Sequence, residues 1–210
     1  MKIFSRVLAL AVLSMALASP TSHGAQKQPL RILFVGNSYT NQSWAAIKDV
    51  LAGHHIEKHV RGGAKLTDWA KDAKLGGKIK TGKWDYVVLQ DQSQVPSLPG
   101  RFISGFHESS ATLDGRIRAA GAKTAFFMTW GRRDGDKQNK NINPTFEKMQ
   151  ANLSRSYRDA ATKLKAKLVP IGEVFAAVRK KHPALFPKLY KGDGSHPDRL
   201  GAYAAAYSFG

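Results

Sequence analysis

The chain has 210 residues, enough for one domain with its own hydrophobic core, and 42% apolar with 23% charged residues fits a globular chain, not a disordered one. It contains no cysteine, which excludes disulfides, a thiol nucleophile, cysteine-ligated metals and an acylated lipoprotein cysteine. Its formal charge of +18 favours encounter with anionic surfaces or substrates.

At the amino end, Lys2 and Arg6 precede the apolar run VLALAVLSMALA, followed by Ser-Pro-Thr-Ser-His-Gly-Ala. That run is too short to span a bilayer, and the order basic, apolar, small is that of a secretory signal peptide. We expect a signal peptide over residues 1–24, cleaved after Ala18 or near Gly24–Ala25. The protein is then exported, periplasmic or extracellular, with no stable membrane anchor after cleavage. Losing Lys2 and Arg6 lowers the charge only to +16, because the segment before Ala18 holds no acid. The remaining cations are spread out, as in KDAKLGGKIKTGK and VRKKHP, and read as a solvated basic surface. No nucleic-acid recognition motif accompanies them, and export makes nucleic acid an unexpected partner.

Residues 29–210 show no internal repeat and no long low-complexity linker, so they read as one domain. The runs LRILFVG (30–36), WDYVVLQ (84–90), KTAFFMTW (123–130) and KLVPIG (167–172) predict buried strands. HHIEKHVR (54–61) alternates as a more exposed strand does. Helical segments are predicted at 43–53, 66–75, about 102–120, 144–165, 171–181 and 197–208. In the third, Phe102, Ile103, Phe106, Leu113 and Ile117 share one face. Strands alternating with helices predict an α/β, flavodoxin-like three-layer sandwich, a five-stranded parallel sheet with helices on both faces. Chemistry in such folds sits beyond the carboxyl ends of the strands, here the loops 36–42, 61–65, 90–100, 130–143 and 192–198.

In the first of these, the stretch LFVGNSYTNQS ends a buried strand in Gly36-Asn37-Ser38. Gly36 suits a sharp turn, and Ser38 precedes a helix predicted to begin near Gln42 or Ser43, which exposes its hydroxyl above the sheet. A G-x-S-x-G elbow would need glycine where Thr40 stands, and no phosphate-binding G-x-x-x-x-G-K-[ST] occurs. Alone, Gly-Asn-Ser reads as a plain turn and helix cap. The last loop, GDGSHPDRLG (192–201), sets Asp193 and His196 three residues apart. That spacing lets the carboxylate accept from the imidazole Nδ1–H and leaves Nε2 facing outward as the base a serine hydroxyl needs. Pro197 suits the first position of a helix. The closing helix is short, which predicts a loose hold on the His196 loop.

The early Gly-Asn-Ser and the late Asp-Gly-Ser-His-Pro together resemble the SGNH (GDSL-type) hydrolases, over about Leu30 to Gly210. The resemblance implies a serine esterase or lipase that needs no metal or organic cofactor. It assigns Ser38 as nucleophile, His196 as base and Asp193 as the carboxylate that orients it. The family's second block supplies a glycine N–H to the oxyanion. In VRGGAKLTDW this is Gly63, preferred to Gly62 because it directly precedes the polar turn, with a plain turn glycine as the other reading. The third block, G-x-N-D, departs here to Leu89-Gln90-Asp91-Gln92-Ser93. Gln92 then stands for the family's Asn, with the same amide donor one methylene further out, or is a polar loop residue. The oxyanion hole so implied is Ser38, Gly63 and Gln92.

The loop TWGRRDGDKQNKN offers Trp130 as a flat face for a sugar ring or acyl chain, and Arg132 or Arg133 as a partner for an anionic group. Trp130 as core packing, with the arginines as solvated charges, is the alternative. The expected function is an exported serine esterase acting on carboxylic esters, acetyl or acyl groups on carbohydrate among them, including anionic ones. A non-catalytic exported binding protein on the same fold is the competing reading, motivated by Gln92 and the basic surface.

Overall fold

A computed structural model describes residues 28–209, so the signal peptide expected over 1–24 lies outside the described residues. In chain order the elements are β1 (Arg31–Gly36), α1 (Ser38–Val50), β2 (His55–Val60), α2 (Leu66–Trp69), α3 (Ala73–Thr81), β3 (Tyr86–Leu89), α4 (Arg101–Ala119), β4 (Lys123–Phe127), α5 (Phe146–Leu164), β5 (Lys167–Val169), α6 (Ile171–Lys181) and α7 (Arg199–Tyr207). The five strands form one sheet in the order β2-β1-β3-β4-β5, every pair parallel. This is the flavodoxin-like arrangement expected. The chain leaves β1 for β2 and then crosses back to β3, so the strand order reverses between β1 and β3. The crevice above their carboxyl ends is where such sheets hold ligands.

Period-two side chains build both faces. Leu33 and Val35 of β1, Val87 and Leu89 of β3 and Phe126 of β4 pack on Phe106, Leu113 and Ile117 of α4 and on Met149, Leu153 and Tyr157 of α5. Ile32, Phe34, Val88 and Phe127 point the other way, onto Ala46 and Ile47 of α1, Phe175 of α6 and Ala202, Ala205 and Ala206 of α7. With both faces covered, the strands read as continuous apolar runs. Each such large side chain, fully buried, contributes roughly 1.5–3 kcal/mol. The alanines let α7 lie close, and at Gly201 a Cβ would run into the Leu189 carbonyl.

Boundaries differ from the sequence expectation where polar side chains set them. Helix α1 starts at Ser38, several residues earlier than predicted, because the Asn37 side chain accepts from the Tyr39 N–H and caps it. The predicted helix over 66–75 breaks into α2 and α3, since Asp72 caps a new helix through the Leu75 N–H. Strand β5 stops at Val169; Pro170 follows and α6 begins at Ile171. Asp198 caps α7, so Pro197 lies outside that helix and bridges Tyr190 instead.

Candidate active site

The turn after β1 is built on close approach. A Cβ on Gly36 would collide with the Thr40 hydroxyl and the Gln90 side-chain carbonyl, so only glycine fits between them. Gln90, fully buried at the end of β3, clamps the residue before Ser38. Its Oε1 accepts from the Asn37 N–H at 3.0 Å and from Thr40 Oγ1 at 2.9 Å, while its Nε2 donates to Asn37 Oδ1 at 3.0 Å. The Asn37 amide donates in turn to the Ala64 carbonyl at 3.0 Å. One buried pair, Asn37 and Gln90, thus ties the turns after β1, β2 and β3 together around Ser38.

The other half of the site comes from the loop before α7. Asp193 Oδ1 accepts from the backbone N–H groups of Ser195 and His196, both at 2.9 Å. Its Oδ2 lies 2.6 Å from His196 Nδ1, and His196 Nε2 lies 2.9 Å from Ser38 Oγ. The structure therefore brings Ser38, His196 and Asp193 into one continuous hydrogen-bonded line. Partial desolvation pushes the Asp193 carboxyl up, but the imidazole and the two backbone donors outweigh it and hold the group at about 2. Asp193 is ionised across the neutral range and fixes the imidazole with Nε2 toward the hydroxyl. Such a line lets the ring take the serine proton.

The short closing helix does not leave this loop loose. The Arg133 N–H donates to Gly194 O at 2.8 Å, the Lys191 N–H to His196 O at 2.9 Å and Trp130 Nε1 to Ser195 O at 3.0 Å. Trp130 has no exposed surface. It is stacked between Tyr39 (4.6 Å, 7°) and Phe175 (4.4 Å, 5°), and Tyr39 stands edge-on to the His196 ring. The expectation of Trp130 as a substrate platform is thereby corrected: apolar rings on both sides hold it inside, under the histidine loop. Arg132 is tied through Nη1 to buried Asp136 at 3.0 Å, with its side chain 22% exposed. Arg133 forks onto Asp134.

Gly63 has φ +68°, a conformation that favours glycine, directly before the Ala64 held by Asn37. Among the described residues, neither the Ser38 nor the Gly63 backbone N–H has a hydrogen-bond partner. Gln92 differs from expectation. Its Oε1 accepts from the Gln94 N–H at 2.7 Å and the Val95 N–H at 3.2 Å, and its Nε2 donates to Gln94 Oε1 at 3.1 Å. The side chain is hydrogen-bonded within its own loop.

Gln90 and Asp91 are the residues that sequence reasoning missed. Asp91 is wholly buried; its Oδ1 accepts from the Leu66 N–H at 2.9 Å and the Gln92 N–H at 2.7 Å, and its Oδ2 has no partner. Burial raises its carboxyl to about 7 against the pull of the two backbone donors. The available signal was two polar residues continuing a buried strand without a turn residue between. Among the described residues, no cluster of three His, Asp or Glu side chains is placed to hold a metal ion.

No protein-family model and no curated protein matches the chain. Solved structures do. A protein from Slackia heliotrinireducens, proposed to be an SGNH hydrolase, superposes with a TM-score of 0.73 at 27% identity, covering 86% of this chain and 97% of that one. An acetyl xylan esterase, AlAXEase, gives 0.69 at 14% identity over 86% and 98% of the two chains. TesA gives 0.62 at 19% identity over 85% and 94%. The last two share the fold. In sheet order and in the layering of its helices the chain has the fold of the SGNH (GDSL-type) hydrolases, and it is similar over most of its length to the first of these structures.

Proposed function

We propose that this chain is an exported serine esterase of the SGNH family in which Ser38, His196 and Asp193 form the catalytic triad. The observation that carries the reading is the unbroken line from the Ser38 hydroxyl through the imidazole to the Asp193 carboxylate, 2.9 and 2.6 Å long in its two links. Ser38 Oγ attacks the ester carbonyl as His196 Nε2 takes its proton, and Asp193 stabilises the imidazolium without itself becoming protonated. The Ser38 and Gly63 N–H groups, unpartnered among the described residues, are proposed to receive the oxyanion. Losing one such donor typically costs about 3–4 kcal/mol of transition-state stabilisation. His196 then protonates the leaving alcohol, and water, activated by the same ring, cleaves the acyl-enzyme.

For substrate we propose acetyl or acyl esters on carbohydrate. The triad stands on an open rim, with the His196 side chain 29% and Asp193 49% exposed, which suits an ester displayed on a larger molecule. The acetyl xylan esterase of the same fold is in line with this. The test is turnover of p-nitrophenyl acetate and of acetylated xylan by wild type and Ser38→Ala. A loss of about a thousandfold or more is expected on both. Equal rates for the two proteins overturn the nucleophile assignment. Activity on the small ester alone overturns the carbohydrate assignment.

A further inference from the structure

The pole of the sheet away from Ser38 carries a feature the esterase reading does not use. Where β4 and β5 begin, beside the ends of α4 and α5, a cleft of about 590 Å³ is ringed by Arg118, Lys123, Arg158, Lys165 and Lys167. Among the described residues, no acidic side chain lines it. The two arginines are braced from outside it. Arg118 is held by Asp114 at 2.7 Å and by the Leu164 carbonyl, and Arg158 by Glu173 at 2.7 Å. Lys123, Lys165 and Lys167 are exposed and form no ion pair among the described residues.

Lys165 occupies this ring under strain. It ends α5 at φ 50°, ψ 37°, the left-handed conformation that glycine fills at least cost. Lys83, outside the cleft, has the same left-handed conformation, so what distinguishes Lys165 is its place in a ring of like charges. Lysine on an edge strand guards against sheet pairing, which accounts for Lys167 on β5, but not for Lys123 on β4 or for Lys165.

We propose that this cleft is a docking site for an acidic polysaccharide. The inference does not rest on the esterase reading. Three lysines without an ion-pair partner among the described residues, Lys123 also lying over the Tyr86 ring at 5.9 Å, attract carboxylate or sulfate groups, and the braced arginines fix the ring's shape. The floor of Ala122, Ala161, Ala166 and Leu168 is shallow and apolar, a surface for the C–H face of a sugar. Among the described residues no aromatic side chain lines the cleft for nucleobases to stack on, and a flat membrane does not enter a concavity. Because the cleft lies at the amino ends of the strands and Ser38 follows a carboxyl end, a chain held there leaves the serine uncovered.

The experiment measures binding of the purified protein to polygalacturonate, with neutral dextran, duplex DNA and phosphatidylglycerol vesicles as comparisons, at low and high salt. Wild type is expected to bind polygalacturonate in preference to the other three, more weakly as salt rises. The variant Lys123→Gln/Lys165→Gly/Lys167→Gln is expected to weaken that binding about tenfold or more, with an unchanged far-UV circular dichroism spectrum and cooperative thermal unfolding as the control for folding. Lys165→Gly alone is expected to lower affinity while leaving the thermal midpoint equal or higher, because it relieves the left-handed strain. Polygalacturonate binding that is absent, or unaffected by the triple variant, overturns the site. Tighter cleft-dependent binding of DNA or vesicles overturns the polysaccharide as its ligand.

Discussion

Replacing Asp91 by asparagine tests how the turns around Ser38 are held and what that costs. The carboxyl gathers the Leu66 and Gln92 backbone N–H groups with one oxygen and leaves the other buried without a partner. In the unfolded chain an aspartate ionises near 4; in the folded protein burial raises this one to about 7. A folded value raised above the unfolded one contributes stability that is complete below pH 4 and lost as pH climbs to 7, where a buried carboxylate must form. A shift of about three units amounts to about 4 kcal/mol of stability lost across that window. Asparagine keeps the accepting oxygen and does not titrate. Urea unfolding of both proteins from pH 4 to 8.5 isolates the effect, since every other group is common to the two. The difference in unfolding free energy should move toward the variant as pH rises and level off above about 7. Parallel curves would refute the buried, raised carboxyl.

Two further substitutions separate positioning from oxyanion contact. Gln90→Leu strands the buried Asn37 N–H and Thr40 hydroxyl, each at roughly 1–3 kcal/mol, so denaturant unfolding should show a marked loss. Its kcat on a small ester should fall with KM little changed, because the Ser38 turn shifts while the pocket does not; unaltered kcat contradicts the clamp. Gln92→Ala should lower kcat less than about tenfold, because that amide is engaged by Gln94 and Val95. A fall of about a hundredfold would instead place it on the oxyanion.

The architecture was legible because both faces of the sheet are covered. Runs such as LRILFV and KTAFFM can be nothing but buried strands once helices alternate with them, and the layer order follows from that alternation. Ser38 was found where β1 gives way to a helix, Asp193 and His196 in the loop before the last helix, and the family resemblance joined the two ends. Their meeting depends only on topology and on a three-residue spacing. Side-chain direction was less accessible. Trp130 and Gln92 sit in the right loops, but whether a ring faces solvent or is stacked between Tyr39 and Phe175 depends on residues 91 and 45 positions away in the chain. Gln90 was passed over for the same reason. Its partners, Asn37 and Thr40, come from a different strand end, and nothing local marks an amide that spans them. The early start of α1 also turns on a single side chain, Asn37, which caps it through the Tyr39 N–H.

The central claim, that the imidazole of His196 activates the hydroxyl of Ser38, is tested most directly by covalent labelling with a fluorophosphonate and intact-mass detection of wild type, Ser38→Ala and His196→Ala. The account predicts a single adduct on Ser38 in wild type, none in Ser38→Ala, and labelling slowed by a hundredfold or more in His196→Ala. A folded wild-type protein that takes no label, or takes it on another residue, contradicts it and leaves a binding protein on a hydrolase fold.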